Sequence, residues 1–497
     1  MNTQLKEITQ NFLNASLING EWTAGSNGTF DVLCPETREV LHSVGRCSSE
    51  DVDRAVAAAR EAFPIWSGLS VIERANILRR VQELFIENGE AIAQMIAAEV
   101  AKPIMVSREE VYEYSAPSYG KAAEEILRYR GMLLPSTQEA SNNKRLVLGH
   151  RPLGVIGVIS PYNFPTDIAS IALAHSVAAG NTVVWKPTEY CPAACAMVAE
   201  LFEEAGMPAG VINLVQGLGD AGAAIVEHDG VDGIFFTGST ATGRQIATKC
   251  ALKPHLLELG GDGPLIVLED ADIDAAVEGA IVGCFYYTGQ VCTSAERLLV
   301  HEAVYDEFVK KFCARIKELK QGPAAEEDTD MGPLCNDATL KRVKSHVEDA
   351  VGKGAKIIEQ HGKEENLYFP ATVLVDVTND MLIMQEETFG PAVPILKIGS
   401  AEEAVAIANE SDLGLTASLW TQDYARAWRI AEALPHGTVN VNETNNYWDQ
   451  LAPFGGAKNS GVGRELSKWF LDNFTEAKLI CFDLGGERVD RRAAGGW

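Results

Sequence analysis

From residue 153 onward, short β-branched runs alternate with helical stretches, and that rhythm confines the chain to one class of architecture. Val155-Ile156-Gly157-Val158-Ile159 predicts a strand, 168–179 a helix, Thr182-Val183-Val184-Trp185 a strand, and 193–205 a helix. Val211-Ile212-Asn213-Leu214-Val215 and Gly233-Ile234-Phe235-Phe236 continue the strand series. Such alternation builds a parallel sheet with helices on both faces, and ligands on these sheets bind beyond the carboxyl ends of the strands. A second alternating block runs from 265 to about 441, with strands at Leu298-Leu299-Val300, Ala371-Thr372-Val373-Leu374-Val375, Val393-Pro394-Ile395-Leu396 and Ser418-Leu419-Trp420. At 497 residues the chain exceeds what one hydrophobic core supports, so the expectation is an α/β protein of two parallel-sheet lobes.

The N-terminal third reads as helical. Ser48-Ser49-Glu50-Asp51 offers a helix start with acid in its first turn, and Val52, Ala55, Val56 and Ala59 follow at helical spacing. A longer helix is expected over about 71–100. The runs at 144–150 and 478–483 look like strands isolated from either block. Strands need partners, and pairing across subunits would supply them.

Forty-two basic against sixty-nine acidic residues leave a net charge of −27, a field that repels phosphate backbones and anionic membrane surfaces. No nucleic-acid or membrane partner is expected. No apolar run approaches bilayer length, and the opening Met1-Asn2-Thr3-Gln4-Leu5-Lys6-Glu7 lacks the order of a signal peptide. Ten cysteines scattered over so long a chain fit reduced thiols in a cytoplasmic protein better than a disulfide scaffold. Cys191 and Cys195 have no second Cys or His pair beside them, so no metal site is expected.

Chemistry enters with Cys292, in Gly289-Gln290-Val291-Cys292-Thr293-Ser294, and with Glu258, in Glu258-Leu259-Gly260-Gly261. A lone cysteine is most often a buried small hydrophobe, as expected of Cys284. Cys292 differs in lying among polar residues after a glycine that permits close backbone approach. A soft nucleophile with a separate carboxylate suits covalent capture of a carbonyl followed by attack of water. Glu258 follows Leu256-Leu257, a partly desolvated setting that raises a carboxyl pKa. Asn163, just past a predicted strand, can turn its amide into a cleft or simply form the turn before Pro165. Gly238-Ser239-Thr240-Ala241-Thr242-Gly243 leaves a strand and opens a helix, which suits a pyrophosphate.

Six motifs follow one another: Pro161-Tyr162-Asn163-Phe164-Pro165, Phe236-Thr237-Gly238-Ser239, Glu258-Leu259-Gly260-Gly261, Gly289-Gln290-Val291-Cys292, Glu386-Glu387-Thr388-Phe389-Gly390-Pro391 and Pro453-Phe454-Gly455-Gly456-Ala457-Lys458-Asn459-Ser460-Gly461. In this order they resemble the aldehyde dehydrogenase superfamily of the NAD(P)-dependent, non-acylating kind, over nearly the whole chain. The resemblance implies a modified Rossmann dinucleotide-binding domain over 1–138 and 151–262 and a catalytic domain over 263–462. It also implies oligomerisation strands at 139–150 and 473–485, which assemble dimers or tetramers in this family. It makes Cys292 the nucleophile, Asn163 an oxyanion donor with the Cys292 backbone N–H, and Glu258 the base that activates water. Glu465 matches a second carboxylate proposed for proton relay, or is an ordinary helix acid.

For the cofactor, the resemblance points to Lys186 and Glu189 at the adenosine ribose, to Gly238, Ser239 and Gly243 with Leu259 along the dinucleotide, and to Glu387 and Phe389 at the nicotinamide. A carboxylate at Glu189 repels a 2′-phosphate, which favours NAD over NADP. Phe164, Tyr287, Tyr447, Trp448 and Phe454 would form an aromatic wall for the aldehyde, although each could equally be core packing. Ile171 and Ala172 replace the aromatic-plus-basic pair common in relatives. Loop 442–450 carries Glu443 and Asp449 and no Arg or Lys, so a neutral aromatic or aliphatic aldehyde is expected, with a semialdehyde or an amino-aldehyde as the alternative. Asp262, where relatives carry Lys or Asn, reads as surface variation. Two rival readings are a catalytically silent protein of this fold and a cysteine hydrolase. The latter needs a histidine beside the thiol, and none of the nine lies within a motif, although His255 precedes Glu258 by three.

Overall fold

The computed structural model describes residues 12–138 and 143–485. The opening heptapeptide, the first four residues of the 139–150 segment and the tail from 488 lie outside the described residues.

Both expected lobes are present. The first is built on an eight-stranded sheet whose parallel centre runs, in spatial order, His255–Glu258, Gly233–Thr237, Val155–Ile159, Thr182–Lys186 and Ile212–Leu214. Val155–Ile159, Thr182–Lys186 and Gly233–Thr237 are buried at every position, as strands covered on both faces must be. Helix Asp167–Ala178 is likewise buried all round, packed against helix Ala116–Arg128. The second lobe holds a seven-stranded sheet ordered Lys356–His361, Ala371–Val375, Ala392–Ile398, Arg297–His301, Pro264–Val267, Thr416–Trp420 and Thr438–Val441. Only its edge strand Lys356–His361 runs antiparallel.

Three features depart from expectation. The N-terminal third is not purely helical, because four short strands precede residue 46. Ser16–Ile18 adds antiparallel to Ile212–Leu214, and Glu21–Thr23 adds outside it. These strands are three residues long and joined by a turn with Asn19 and Gly20 at positive φ, too short to leave a period in the sequence. Helices Ser49–Gly68 and Val71–Val100 then follow, each opened by a reciprocal capping box, Ser48 with Asp51 and Ser70 with Glu73.

The isolated strands find partners within one chain. Thr475–Asp483 pairs antiparallel with Lys144–Pro152 over its whole length, and Met132–Leu134 flanks the latter. This three-stranded arm carries exposed Leu133, Leu479 and Phe482. Finally, the chain returns to the first lobe before 462: Gly461–Val462 pairs antiparallel with the strand that ends in Glu258, so the 263–462 segment does not close on itself. No described helix is long and apolar enough to cross a membrane.

Candidate active site

Cys292 follows a backbone bent through three successive left-handed residues, Tyr287 (φ 46°), Thr288 (φ 58°) and Gly289 (φ 75°). Two of the three are not glycine, a conformation that persists only when the surroundings impose it. Here the Tyr287 hydroxyl donates to the Val100 carbonyl at 3.0 Å, and the Thr288 hydroxyl to the Gly332 carbonyl at 3.0 Å. Gln290 adds a third tie, its Oε1 accepting from the Cys335 N–H at 2.9 Å. A Cβ on Gly289 would lie 2.7 Å from the Gly390 carbonyl oxygen, so only glycine fits. The bend delivers the Cys292 side chain to the meeting point of two cavities, one of about 640 Å³ and one of about 300 Å³, and it lines both.

Asn163 lines the larger cavity beside it and is 4% exposed. The turn that carries it is held from beneath by Glu110, whose Oε1 accepts from the Thr166 N–H (2.9 Å), the Thr166 hydroxyl (2.9 Å) and the Asp167 N–H (3.1 Å). The other oxygen of Glu110 pairs with Lys102, which is wholly buried with its ammonium 3.7 Å from the Phe164 ring centre and 4.7 Å from that of Tyr287. One buried ion pair therefore touches both the Asn163 turn and the bend before Cys292. Glu110 opens a π-helical segment, Glu110–Ser115, a departure from α-geometry that recurs at functional sites. Neither Lys102 nor Glu110 is marked in the sequence, because each looks like an ordinary helix-surface charge until the fold buries it.

The larger cavity brings together Lys186, Glu189, Gly238, Ser239, Leu259, Glu387 and Phe389. The Lys186 ammonium donates to Glu189 Oε2 at 3.1 Å. Ser239 caps helix Thr240–Lys249, its hydroxyl accepting from the Thr242 N–H. Gly243 is not on the cavity. A Cβ there would lie 2.3 Å from Leu259, so its task is to let Leu259 pack over the helix. Glu387 accepts from the Gly261 N–H at 3.1 Å, and burial lifts its carboxyl to about 7 against the pull of Arg342. Sequence reasoning missed Arg342, whose guanidinium lies 5.8 Å from the Phe389 ring centre and donates to the Thr388 carbonyl. It also missed Glu296, a buried carboxylate that accepts from the N–H groups of Thr388 (2.6 Å) and Phe389 (2.7 Å) and so fixes the whole 386–391 turn. Its position four residues after Cys292 was the available signal.

Phe164, Tyr447, Trp448 and Phe454 line the smaller cavity, with Ile171. Tyr287 does not: it is fully buried, edge-on to Phe164, with its hydroxyl spent on Val100. The left-handed bend begins at Tyr287 and leaves its neighbour Tyr286 on the cavity wall instead. Glu443 and Asp449 serve their own loop, accepting from the N–H groups of Thr444 and Leu451. The acids that do line this cavity are Glu109, Asp167 and Glu465. Glu109 receives the hydroxyls of Tyr114 (3.1 Å) and Tyr286 (2.8 Å). No Lys, Arg or His lines this cavity.

Glu258 ends its strand as expected but lines neither cavity. Its two carboxyl oxygens are buried and make no close hydrogen bond, with the Gly456 N–H as a weak partner, and Oε1 lies 2.6 Å from where a Gly455 Cβ would stand. Burial, then the neighbouring Glu465, pushes its carboxyl well above the usual range, with Arg464 opposing. Burial lifts Glu465 to about 8. Cys292 faces three acids and no compensating cation: burial, then Glu387, Glu258 and Glu465, raises its thiol. Asp262 is not a surface residue. It is 2% exposed, 3.2 Å from Arg297, and accepts from the Ser411 hydroxyl.

The arrangement is a thiol reachable from two sides, an amide donor on one side and carboxyls of raised pKa close by. Comparisons with known proteins cover nearly the whole chain. The sequence model of the Aldehyde dehydrogenase family fits residues 22–480. The chain is 39% identical over 485 residues to the glutarate-semialdehyde dehydrogenase of Pseudomonas putida, covering 97% of this chain and 100% of that protein. It is 37% identical over 480 residues to the NADP(+) succinate-semialdehyde dehydrogenase GabD of Escherichia coli, covering 95% and 98%. The NAD+ complex of an aldehyde dehydrogenase from Bacillus cereus superposes with a TM-score of 0.93 at 37% identity, over 98% of this chain and 99% of that one.

Proposed function

The chain belongs to the aldehyde dehydrogenase family, and from that premise we propose that it oxidises an aldehyde to the carboxylic acid with NAD, through covalent capture on Cys292. The observation that carries this reading is the one sulfur shared by two cavities. The larger falls within the roughly 300–1,000 Å³ of cofactor sites. It offers a helix entry at Gly238-Ser239 for a pyrophosphate, the Lys186–Glu189 pair for a ribose, and Phe389 with Glu387 near the thiol for a ring. Bound there, the dinucleotide would accept the hydride released in the oxidation.

Cys292 passes its thiol proton by way of the neighbouring Glu258 and Glu465 to solvent, and its sulfur adds to the aldehyde carbon. The oxyanion is received by the Asn163 amide and the Cys292 backbone N–H; one such donor is worth about 3 kcal/mol to a transition state. After oxidation the acyl group remains on sulfur as a thioester, which water must cleave. Glu258 is the base for that water, and its carboxyl reaches the water by turning away from Gly455. A carboxyl held without close partners loses little by that rotation. Glu465, on the cavity and beside Glu258, takes up the proton.

An anionic tail in the smaller cavity would find no Lys, Arg or His among the described residues that line it, a costly burial. The substrate we assign is therefore a neutral aromatic or aliphatic aldehyde, not the semialdehydes named for the relatives. Glu189 favours NAD over NADP by repelling a 2′-phosphate. The absence of histidine from both cavity walls speaks against a cysteine hydrolase. Cys292→Ala should bind NAD and produce no NADH from any aldehyde; retained turnover overturns the assignment.

A further inference from the structure

We propose that the smaller cavity selects aldehydes whose tail carries a hydroxyl group, with Asp167 as the residue that receives it. The proposal rests on the oxidation reading above and deepens it.

Asp167 is the first residue of helix Asp167–Ala178, is 3% exposed, and lines the smaller cavity. Asp167, Ile168 and Ile171 fall on one face of this helix and line that cavity together with Phe164 from the preceding turn. An acid at a helix start usually serves the free N–H groups there, but that work is already done. Glu110 accepts from the Thr166 N–H, the Thr166 hydroxyl and the Asp167 N–H itself. Asp167 Oδ1 is left buried with no hydrogen-bond partner, and such groups call for an explanation.

Several other polar groups on this wall are occupied. Both oxygens of Glu109 hold tyrosine hydroxyls. The Asn446 side chain accepts from Thr293 and donates to the Val282 carbonyl. Glu465 Oε2 also lacks a partner, but it belongs to the proton path beside Glu258. That leaves the Asp167 carboxyl, which lines the cavity and makes no hydrogen bond, as the acid on this wall available to a substrate tail. Burial, then the nearby Glu110 and Glu465, pushes the Asp167 carboxyl far up, against Lys102 and Lys121. A carboxyl that keeps its proton both accepts from and donates to a neutral hydroxyl. Tyr114 and Trp448, with ring centres 4.8 Å apart, and Phe454 beyond them supply walls for a flat apolar body. A hydroxylated aromatic aldehyde satisfies both.

The experiment compares kcat/KM with NAD for benzaldehyde, its three ring-hydroxylated isomers, 4-carboxybenzaldehyde and 4-(aminomethyl)benzaldehyde. In the wild type at least one hydroxy isomer should exceed benzaldehyde by about tenfold or more, as expected where a site is built to hold a substrate hydroxyl. The carboxy compound should fall below benzaldehyde. In Asp167→Leu the hydroxy-to-benzaldehyde ratio should collapse to near one, and Asp167→Asn, which keeps an acceptor, should retain most of it. A wild type with no hydroxy preference, or with a stronger preference for the amine, overturns the proposal, as does a preference that survives Asp167→Leu. The wild-type series needs no variant to fold. Absence of NADH with every aldehyde would instead defeat the oxidation reading itself.

Discussion

Glu465 and Glu258 share a buried space that lifts both, with Arg464 and the Gly456 N–H opposing the rise of Glu258. The folded pKa of Glu465, about 8, stands above the ordinary carboxylate value of about 4.3. A carboxyl raised in this way contributes stability below its unfolded pKa and loses it as pH climbs through the folded one. Glu387, lifted to about 7, acts in the same sense. The melting temperature should therefore fall between about pH 5 and pH 8, and Glu465→Gln should flatten that decline; a variant as pH-sensitive as the wild type would refute the assignment. Glu189 carries a second expectation at this scale. Glu189→Ser should raise the NADP-to-NAD ratio of kcat/KM by about tenfold or more, equivalent to ~1.4 kcal/mol; an unchanged ratio would remove this residue from cofactor selection. Most residues that face the thiol were legible in the sequence, because motif residues sit on loops whose chemistry does not depend on distant packing. The misreadings share one cause. Tyr287 and Tyr286 differ only in which side of a left-handed bend they leave, and Asp262 is buried by Arg297 and Ser411 from far along the chain. Neither fact has a local signature.

Among the elements, the Asn163 turn depends on the Lys102–Glu110 pair more than on its own sequence. Helix Asp167–Ala178 has no side-chain cap from Thr166; Glu110 supplies it from another helix. Lys102→Met removes one partner and leaves Glu110 charged and unpaired in the core, a loss of about 3–5 kcal/mol for pairs of this kind. Denaturant unfolding should register that loss, and kcat should fall with it because Phe164 and Tyr287 lose the cation packed on their rings. Unchanged stability would mean the pair is not holding the turn. The alternating strands of both sheets were readable because buried parallel strands are nearly continuous runs of β-branched residues. The three-residue strands near the N-terminus were not, since pairing with Ile212–Leu214, not composition, makes them strands.

For the molecule as a whole, the arm remains unfinished. Its three strands satisfy one another's backbones, yet Leu133 is 67% and Phe482 53% exposed. Apolar surface of this extent marks an interaction site, and a second copy of the chain is the occupant we expect. Sedimentation should give a dimer or tetramer, and Leu133→Lys with Phe482→Lys should shift it to the monomer mass; an unaltered assembly would place the contact elsewhere. The sequence singled out these strands but not their pairing, which spans more than three hundred residues.

The bend at 287–289 sets Cys292 in a passage with two mouths. Traffic through it need not queue: an aldehyde can arrive, and its acid depart, by one doorway while the coenzyme stays seated in the other. On the oxidation reading, neither product then blocks the other's way out.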